Sequence, residues 1–192
     1  MTAEILRYAA FTVDGKGGNP AGVVLDASGL DAAQMQAIAT EVGDSETAFL
    51  LATDTRPNVY DVRYFSPPRK CHLVLVTKTR QRLADLDYDF DDLAKVMHQY
   101  GLVTVLLVWP ETKNRYHARN PAAGLGVVED PATGAAAAAF GSYLRELAMI
   151  EENAEFTISQ GVDMGRPSEI AVSVIAGEPG VRVAGAAHRI HD

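Results

Sequence analysis

The sequence predicts a strand-rich α+β protein made of two lobes. Most of its apolar segments are short, rich in β-branched or aromatic residues, and bounded by glycine, proline or polar residues, as strands are. Only a few segments carry apolar residues at helical spacing over a useful length. In both halves of the chain, strands are followed by a helix. This order fits two lobes built from similar units.

The first half is predicted to hold several strands and one helix. A strand precedes a glycine-rich turn from Asp14 to Pro20, after which the chain resumes as a strand. Asp31 and Gln34 have the spacing of a capping box, and the apolar residues that follow predict a helix ending before Gly43. The predicted strands are 4–13, 23–25, 47–52 and 58–65.

The second half follows a proline-rich, linker-like stretch at 66–70. One amphipathic helix is predicted at 90–100, before Gly101, with a short helical turn at 79–83. The main helix is predicted from Gly134. The predicted strands are 72–76, 103–109, 115–120, 155–160, 168–174 and 181–184.

These elements predict a first lobe at 1–66, a linker-like junction at 67–71 and a second lobe at 72–192. The second lobe is expected to contain a central helix at about 134–148. The C-terminal strand belongs either to this lobe or to the first one.

Composition excludes several classes of function. A net charge of −8 disfavours a nucleic-acid or anionic-membrane partner, because binding phosphates needs a positive patch. No apolar run is long enough for a transmembrane helix, and no signal-peptide pattern is visible. The single cysteine, Cys71, and five scattered histidines predict no disulfide and no metal site. We therefore expect a cytoplasmic protein, and we interpret the terminal HRIHD as a frayed tail.

The segment from Glu129 to Ala148 is the most informative part of the chain. Two acidic residues and a Pro-Ala-Thr-Gly turn lead into a run of alanines with no charge between Asp130 and Arg145. A helix that is apolar nearly all round is expected to be buried, and its N-terminus then suits a carboxylate or phosphate. Gly134 lets a ligand approach the backbone closely. The alternative interpretation is a core helix with an acidic N-cap.

Four segments together resemble the PhzF-like family of phenazine-biosynthesis-type isomerases. They are GGNPAGVVL at 17–25, GDSETAFL at 43–50, EDPATGAAAAA at 129–139 and QGVDMGRPS at 160–168. The resemblance implies the diaminopimelate epimerase-like fold, in which two lobes of mixed sheet each wrap around a central helix. It also implies proton transfer, without a cofactor, on a small carboxylate-bearing substrate held between the lobes.

The resemblance assigns the general acid/base of the family to Glu46. Independently, a carboxylate at the mouth of the apolar strand TAFLLA is next to a desolvated wall, which raises a carboxyl pKa and suits proton transfer near neutral pH. The alternative is a solvent-facing loop glutamate. Asp130 matches the aspartate that helps to hold the substrate, and it also has the position of a helix N-cap.

Four further residues complete the predicted substrate site. Asn19 resembles a pocket-lining asparagine, with an Asn-Pro turn residue as the alternative. Ser45 either donates a hydrogen bond to the ligand or caps a local turn. The backbone amides of Gly134 and Ala135 are expected to bind developing negative charge. We expect Ser45, Glu46, Asp130 and Gly134 to converge on one cleft.

One large piece of the family pattern is missing. The family has a Cys-Gly-His-Ala-Thr motif that opens the central helix of the first lobe, and its histidine handles a second proton. This chain passes from RYFSP directly to RKCHLVLV, so the first lobe is truncated. Cys71 and His72 are a poor substitute, because no glycine separates them and a strand follows instead of a helix.

Two functions of different class follow from this departure. The first is a PhzF-like isomerase, or a descendant of one, whose activity is impaired by the missing motif. The second is a catalytically inactive, shortened relative that acts as a binding or self-associating protein. A third possibility is an internal deletion with no native role. Uncovered sheet edges promote association, so a homodimer is expected in either of the first two cases.

Overall fold

The computed structural model of the chain describes residues 4–43, 46–52, 60–65, 71–178 and 180–190. The chain divides into two compact units. The first comprises residues 1–10, 20–68 and 187–192, and the second comprises 11–19 and 69–186. The second unit thus includes residues 11–19 from the N-terminal part of the chain, and the first includes 187–192.

Strands make up most of the regular structure. In chain order the strands are β1 (Ile5–Ala10), β2 (Asn19–Val24), β3 (Glu46–Ala52), β4 (Tyr60–Phe65), β5 (Cys71–Val76), β6 (Leu102–Thr112), β7 (Arg115–Arg119), β8 (Pro121–Ala122), β9 (Val127–Glu129), β10 (Ala154–Gln160), β11 (Ser168–Val174), β12 (Val181–Ala184) and β13 (Ala187–Arg189). The helices are α1 (Ala32–Val42), α2 (Arg80–Ala84), α3 (Phe90–Tyr100) and α4 (Gly134–Glu146). The predicted α+β class is confirmed.

The first unit is built on a five-stranded mixed sheet with the order β13-β1-β2-β3-β4. β2 and β3 are parallel, whereas β3 pairs antiparallel with β4 and β1 with β13. α1 connects the two parallel strands, as a crossover between parallel neighbours requires. Its buried Met35 packs in a small core with Val24, Ala27 and Phe49.

The ends of α1 are those that the sequence predicts. Asp31 accepts a hydrogen bond from the amide of Gln34, and the Gln34 side chain accepts one from the amide of Asp31. Gly43 ends the helix in the left-handed conformation with a φ of 70°. The predicted capping box and helix limits are therefore confirmed.

The C-terminal segment of the first unit corrects a prediction. The sequence interpretation treats HRIHD as a frayed tail, but His188 and Arg189 belong to β13. Arg189 is the register partner of Tyr8, and His188 that of Ala9 in β1. The strand escapes sequence analysis because it is three residues long and all three are exposed, so it has no apolar pattern.

The second unit is built on a six-stranded mixed sheet with the order β12-β11-β10-β7-β6-β5. β5 pairs parallel with β6, and β7 with β10, whereas the other three neighbouring pairs are antiparallel. A short β8–β9 hairpin leads to α4. α3 has the predicted limits and buries Met97 against Val105 and Ala123.

α4 packs against the main core of the second unit. Its buried residues are Ala136, Ala137, Phe140, Gly141 and Leu144. The Phe140 ring packs edge-on against Tyr116, with centroids 5.0 Å apart, and both rings also contact Phe156.

α4 is buried along most of its length, as the sequence predicts, and its exposed residues lie toward the C-terminal end. Tyr143 is 43% exposed and Leu147, directly after α4, is 53% exposed. Exposed apolar side chains such as these are common at the surface of folded proteins.

Candidate functional site

The candidate site of the second unit centres on the loop from Asp130 to Thr133, between β9 and α4. Each of its four backbone carbonyls accepts a hydrogen bond. The donors are Gln160 Nε2 to Asp130 (2.7 Å), Ser168 Oγ to Pro131 (2.9 Å), Asn19 Nδ2 to Ala132 (3.0 Å) and the Ala137 amide to Thr133 (3.0 Å). Three of these donors come from separate segments of the chain, so the loop is held at several points.

The carboxylate of Asp130 is held by its own loop. Oδ1 accepts from the amide of Ala132 at 3.2 Å, and Oδ2 accepts from the hydroxyl of Thr133 at 2.7 Å. Asp130 therefore does not act as the N-cap of α4, whose N-cap residue is Thr133. The sequence leaves both roles open, and the structure assigns the cap position to the residue three further on.

The Thr133 hydroxyl also accepts two hydrogen bonds from buried amides. Asn120 Nδ2 donates to Thr133 Oγ1, and Gln160 Nε2 donates to the same oxygen at 3.1 Å. Asn120 and Gln160 are 0% and 1% exposed. Sequence reasoning missed both residues, because neither stands in a motif and only the sheet brings them to the loop.

The N-terminus of α4 follows this loop directly. The Thr133 side chain makes no capping bond to the helix amides, since its oxygen accepts from the Asn120 and Gln160 side chains instead. Gly134 begins the helix, and a Cβ added to it would lie 3.2 Å from Cζ of Phe11. Gly134 and Ala135 are half-buried. The first-turn amides carry the partial positive charge of a helix N-terminus, which suits an anion.

The glycine-rich turn packs on the MGRPS segment in the same unit. Gly18 donates its amide to the Pro167 carbonyl at 3.3 Å, and the Arg166 guanidinium donates to the Gly18 carbonyl at 3.2 Å. Gly17 has a φ of +68°, and an added Cβ would collide with the Pro167 carbonyl oxygen. Asn19 is 9% exposed at the end of this turn. The turn thus supplies a side chain that binds the Asp130–Thr133 loop.

A buried ion pair anchors the residue just before Asp130. Arg119 and Glu129 form a bidentate pair with side chains 14% and 4% exposed, and the closest N–O distance is 2.6 Å. The hydrogen bond to Glu129 raises the pKa of Arg119, so the guanidinium stays charged. Tyr88 donates to the Val128 carbonyl, and burial raises the pKa of its phenol, with the Glu129 carboxylate adding to the effect. The sequence analysis did not identify this pair.

Two predicted site residues lie in the first unit. Glu46 is the first residue of β3, and its backbone is the register partner of Ala21, but its side chain lies outside what the structure describes. Ser45 also lies outside the described residues. The predicted convergence of Ser45 and Glu46 with Asp130 and Gly134 stays a prediction.

Cys71 and His72 stand at the start of β5, as expected. Cys71 is exposed, and His72 Nδ1 lies 2.8 Å from the hydroxyl of Thr104 on the neighbouring strand β6. Within the described ranges, no cluster of three or more histidine, cysteine or acidic residues is placed to hold a metal ion. Among the helices that the structure describes, none is long and apolar enough to span a membrane.

Solved structures with a similar arrangement identify the fold. A phenazine biosynthesis protein of the PhzF family from Bacillus anthracis matches with a TM-score of 0.74 at 19% identity, covering 100% of this chain and 98% of that one. A predicted epimerase from Pseudomonas aeruginosa matches with a TM-score of 0.70 at 20% identity, covering 99% and 98%. The chain therefore has the PhzF- and epimerase-like fold, as the sequence predicts.

The family itself is shown by sequence. The chain matches the PhzC-PhzF family, described as phenazine biosynthesis-like protein, over residues 8–73 and 69–192. The chain belongs to this family.

Curated relatives carry isomerase names. The uncharacterized isomerase YddE of Escherichia coli is 48% identical over 67 residues, which are 35% of this chain and 22% of that protein. An uncharacterized isomerase of Deinococcus radiodurans is 35% identical over 95 residues, or 48% of this chain and 31% of that protein. The matched part of the chain thus spans less than a third of the length of these relatives.

Proposed function

We propose that the chain is a PhzF-like isomerase that moves a proton between carbon atoms of a small carboxylate-bearing substrate without a cofactor. We further propose that its rate is reduced because the Cys-Gly-His-Ala-Thr motif is missing. Family membership and the isomerase names of the curated relatives support the reaction class. The substrate class rests on the chemistry of the second unit.

The observation that carries the proposal is the N-terminus of α4, which has no side-chain cap and directly follows the Asp130–Thr133 loop. Its amides at Gly134 and Ala135 stand where a carboxylate or an enolate-like oxygen gains most from a helix dipole. Three side chains hold the carbonyls of the preceding loop, so the amides are oriented before any ligand binds. Donors that are already oriented need no reorganisation during the reaction.

Glu46 is the proposed general acid/base. Removal of a carbon-bound proton needs a base with a pKa near the working pH, and a glutamate beside a desolvated wall meets this need. Asn19, Ser45 and Asp130 are the proposed substrate-binding side chains. Loss of one acid/base group costs on the order of 10²–10⁴ in rate, so the absent histidine leaves an activity well below that of a complete family member.

Deuterium incorporation tests the proposal. A panel of small unsaturated and α-amino carboxylic acids is incubated with the protein in heavy water, and isotope uptake is followed by mass spectrometry. We expect slow uptake that falls by roughly 10²–10⁴ in Glu46→Gln and is unchanged in Glu41→Gln, an exposed glutamate on α1 of the same unit. Uptake that is equal in Glu46→Gln and the unaltered protein contradicts the assignment of the base.

The second candidate function is a shortened relative that binds without catalysis. The split of the family match at residues 69–73, where the sequence lacks the motif, supports it. The two candidates differ in one result. A binding protein shifts the amide resonances of Gly134 and Ala135 when a carboxylate is added, yet incorporates no deuterium from any acid of the panel.

We also propose that the protein forms a homodimer. β5 is an edge strand of its sheet, and Leu73, Leu75 and Val76 on it are 40%, 44% and 61% exposed. An edge strand with apolar side chains favours association with a second copy. A cytoplasmic location and a role in biosynthesis stay predictions from the sequence and the resemblance.

A further inference from the structure

We propose that Asn120 and Gln160 are positioning residues, which turn the Thr133 hydroxyl proton toward Asp130 and so hold the Asp130 carboxylate as a fixed acceptor. This inference rests on the proposed function only in assigning Asp130 to the substrate. The hydrogen-bond arrangement itself is a property of the second unit.

The direction of the Thr133 proton follows from counting donors. A hydroxyl has one proton and two lone pairs. Asn120 Nδ2 and Gln160 Nε2 both donate to Thr133 Oγ1, so both lone pairs are occupied. The remaining contact of this oxygen, at 2.7 Å, is with Oδ2 of Asp130. The single proton therefore points at the carboxylate.

The orientation of the Gln160 amide is fixed in turn. Gln160 Oε1 accepts from the Thr133 amide at 3.4 Å while its Nε2 donates to the Asp130 carbonyl at 2.7 Å, so the glutamine side chain bridges both ends of the loop. Asn120 is 0% exposed, and its backbone carbonyl accepts from the Asp130 amide at 3.1 Å. Both residues thus hold the loop and the hydroxyl together.

Asn120 leaves one buried atom unsatisfied in this orientation. Its Oδ1 has no hydrogen-bond partner among the described residues. The opposite orientation of the amide would put an acceptor against Thr133 and compete with Asp130 for the proton. A buried acceptor without a donor is costly. Asn120 bears this cost in the orientation in which its amide donates to the Thr133 hydroxyl.

The consequence is that the Asp130 carboxylate accepts from fixed donors, among them the Thr133 hydroxyl and the Ala132 amide. Hydrogen bonds to the charged form favour ionisation and restrict rotation of the carboxyl group. A substrate donor such as an ammonium or hydroxyl group then meets an acceptor of known direction. Such orientation is what a substrate-binding carboxylate contributes to positioning.

The test is the titration of the Asp130 carboxyl group, followed by NMR in the full chain with isotope-labelled aspartate and assigned with Asp130→Asn. We expect Thr133→Val to raise the pKa of Asp130 by about one unit, because one hydrogen bond to the charged form is lost. Thr133→Ser should restore it. Thr157→Val, the same change on β10 of the same unit, should leave it unchanged.

The two amides are tested by Gln160→Met and Asn120→Leu. Each should give a smaller rise in the pKa of Asp130 and faster solvent exchange of the Thr133 hydroxyl proton, while circular dichroism reports whether the variant is folded. A folded Thr133→Val variant with an unchanged Asp130 titration overturns the inference. If Thr133→Val does not fold, unchanged titration in both amide variants overturns it. These readouts do not depend on isomerase activity, so they stand apart from the deuterium assay.

Discussion

The side-chain amide of Asn19 donates to the carbonyl of Ala132 at 3.0 Å, and this bond joins two predicted motifs that are 113 residues apart in sequence. It connects the glycine-rich turn with the loop before α4 inside one unit. The sequence offers two roles for Asn19, lining a pocket or completing a turn. In the structure its amide holds the loop that carries Asp130, which links the asparagine to the site through the backbone.

Gly17→Ala should destabilise the protein by about 1–3 kcal/mol, because a residue with a side chain is strained at this φ. The added Cβ would also collide with the Pro167 carbonyl. Urea unfolding measures the loss. Gly29→Ala is the matched control, since an added Cβ there meets nothing within 4 Å. An equal loss of unfolding free energy in both variants would show that the turn accommodates a side chain at Gly17 without strain.

Phe140→Ala should cost roughly 3–5 kcal/mol, as expected for a large aromatic side chain removed from a core. Phe140 is 1% exposed and packs against the rings of Tyr116 and Phe156. Tyr143→Ala on the same helix, where the side chain is 43% exposed, should have a much smaller effect on the free energy of unfolding. Comparable losses would mean that the second face of α4 is also covered in solution.

Arg119→Met should cost about 3–5 kcal/mol, because it leaves the Glu129 carboxylate buried without its partner. The double change Arg119→Met and Glu129→Leu should recover much of this loss, since no uncompensated charge remains. Lys113→Met is the control, because its pair with Glu151 is 80% and 75% exposed. Chemical denaturation of the three variants gives the comparison, and a double variant as unstable as Arg119→Met would contradict the explanation.

Alkaline pH should destabilise the protein partly through Tyr88. Burial raises the pKa of this phenol in the folded state, so the folded protein holds the proton more tightly than the unfolded chain. The stability that this provides is present below about pH 10 and is lost as the pH rises through the raised value. In Tyr88→Phe the fall in melting temperature between neutral and strongly alkaline pH should be less steep. The exposed Tyr100→Phe is the control, and identical slopes in all three proteins would exclude a contribution from Tyr88.

The homodimer is tested by light scattering at micromolar concentration. We expect a dimer in the unaltered protein and a monomer when Leu73 and Leu75 are both changed to lysine, because lysine on an edge strand opposes pairing. Val96→Lys, at a residue of α3 that is 45% exposed, should remain a dimer. A stable monomer of the unaltered chain would rule out the association.

Local patterns in the sequence predict much of the fold. The caps of α1, the limits of α3 and the start of α4 follow from residues within one or two turns of each element. Such signals are strong because capping bonds and left-handed glycines act over a few residues.

The candidate site is less predictable, because its contacts join distant segments. Asn120, Gln160 and Ser168 reach the loop only through the order of the strands in the sheet, and no short pattern encodes that order. The Arg119–Glu129 pair is separated by ten residues and forms across the β8–β9 hairpin. From the sequence alone, Arg119 and Glu129 are expected to be surface residues, since arginine and glutamate are usually exposed. Only the pairing of β8 with β9 brings them together.

The pairing of β1 with β13 has a consequence for the order of events during synthesis. The second unit lies between these strands in the sequence, so all its residues leave the ribosome before β13 is available. Long-range strand pairing is slow because a large loop must close first. We expect the second unit to reach its native state first. Until β13 pairs with it, β1 is an unpaired edge of the first unit's sheet. A newly made chain is therefore exposed to aggregation through β1 until β13 has been synthesised.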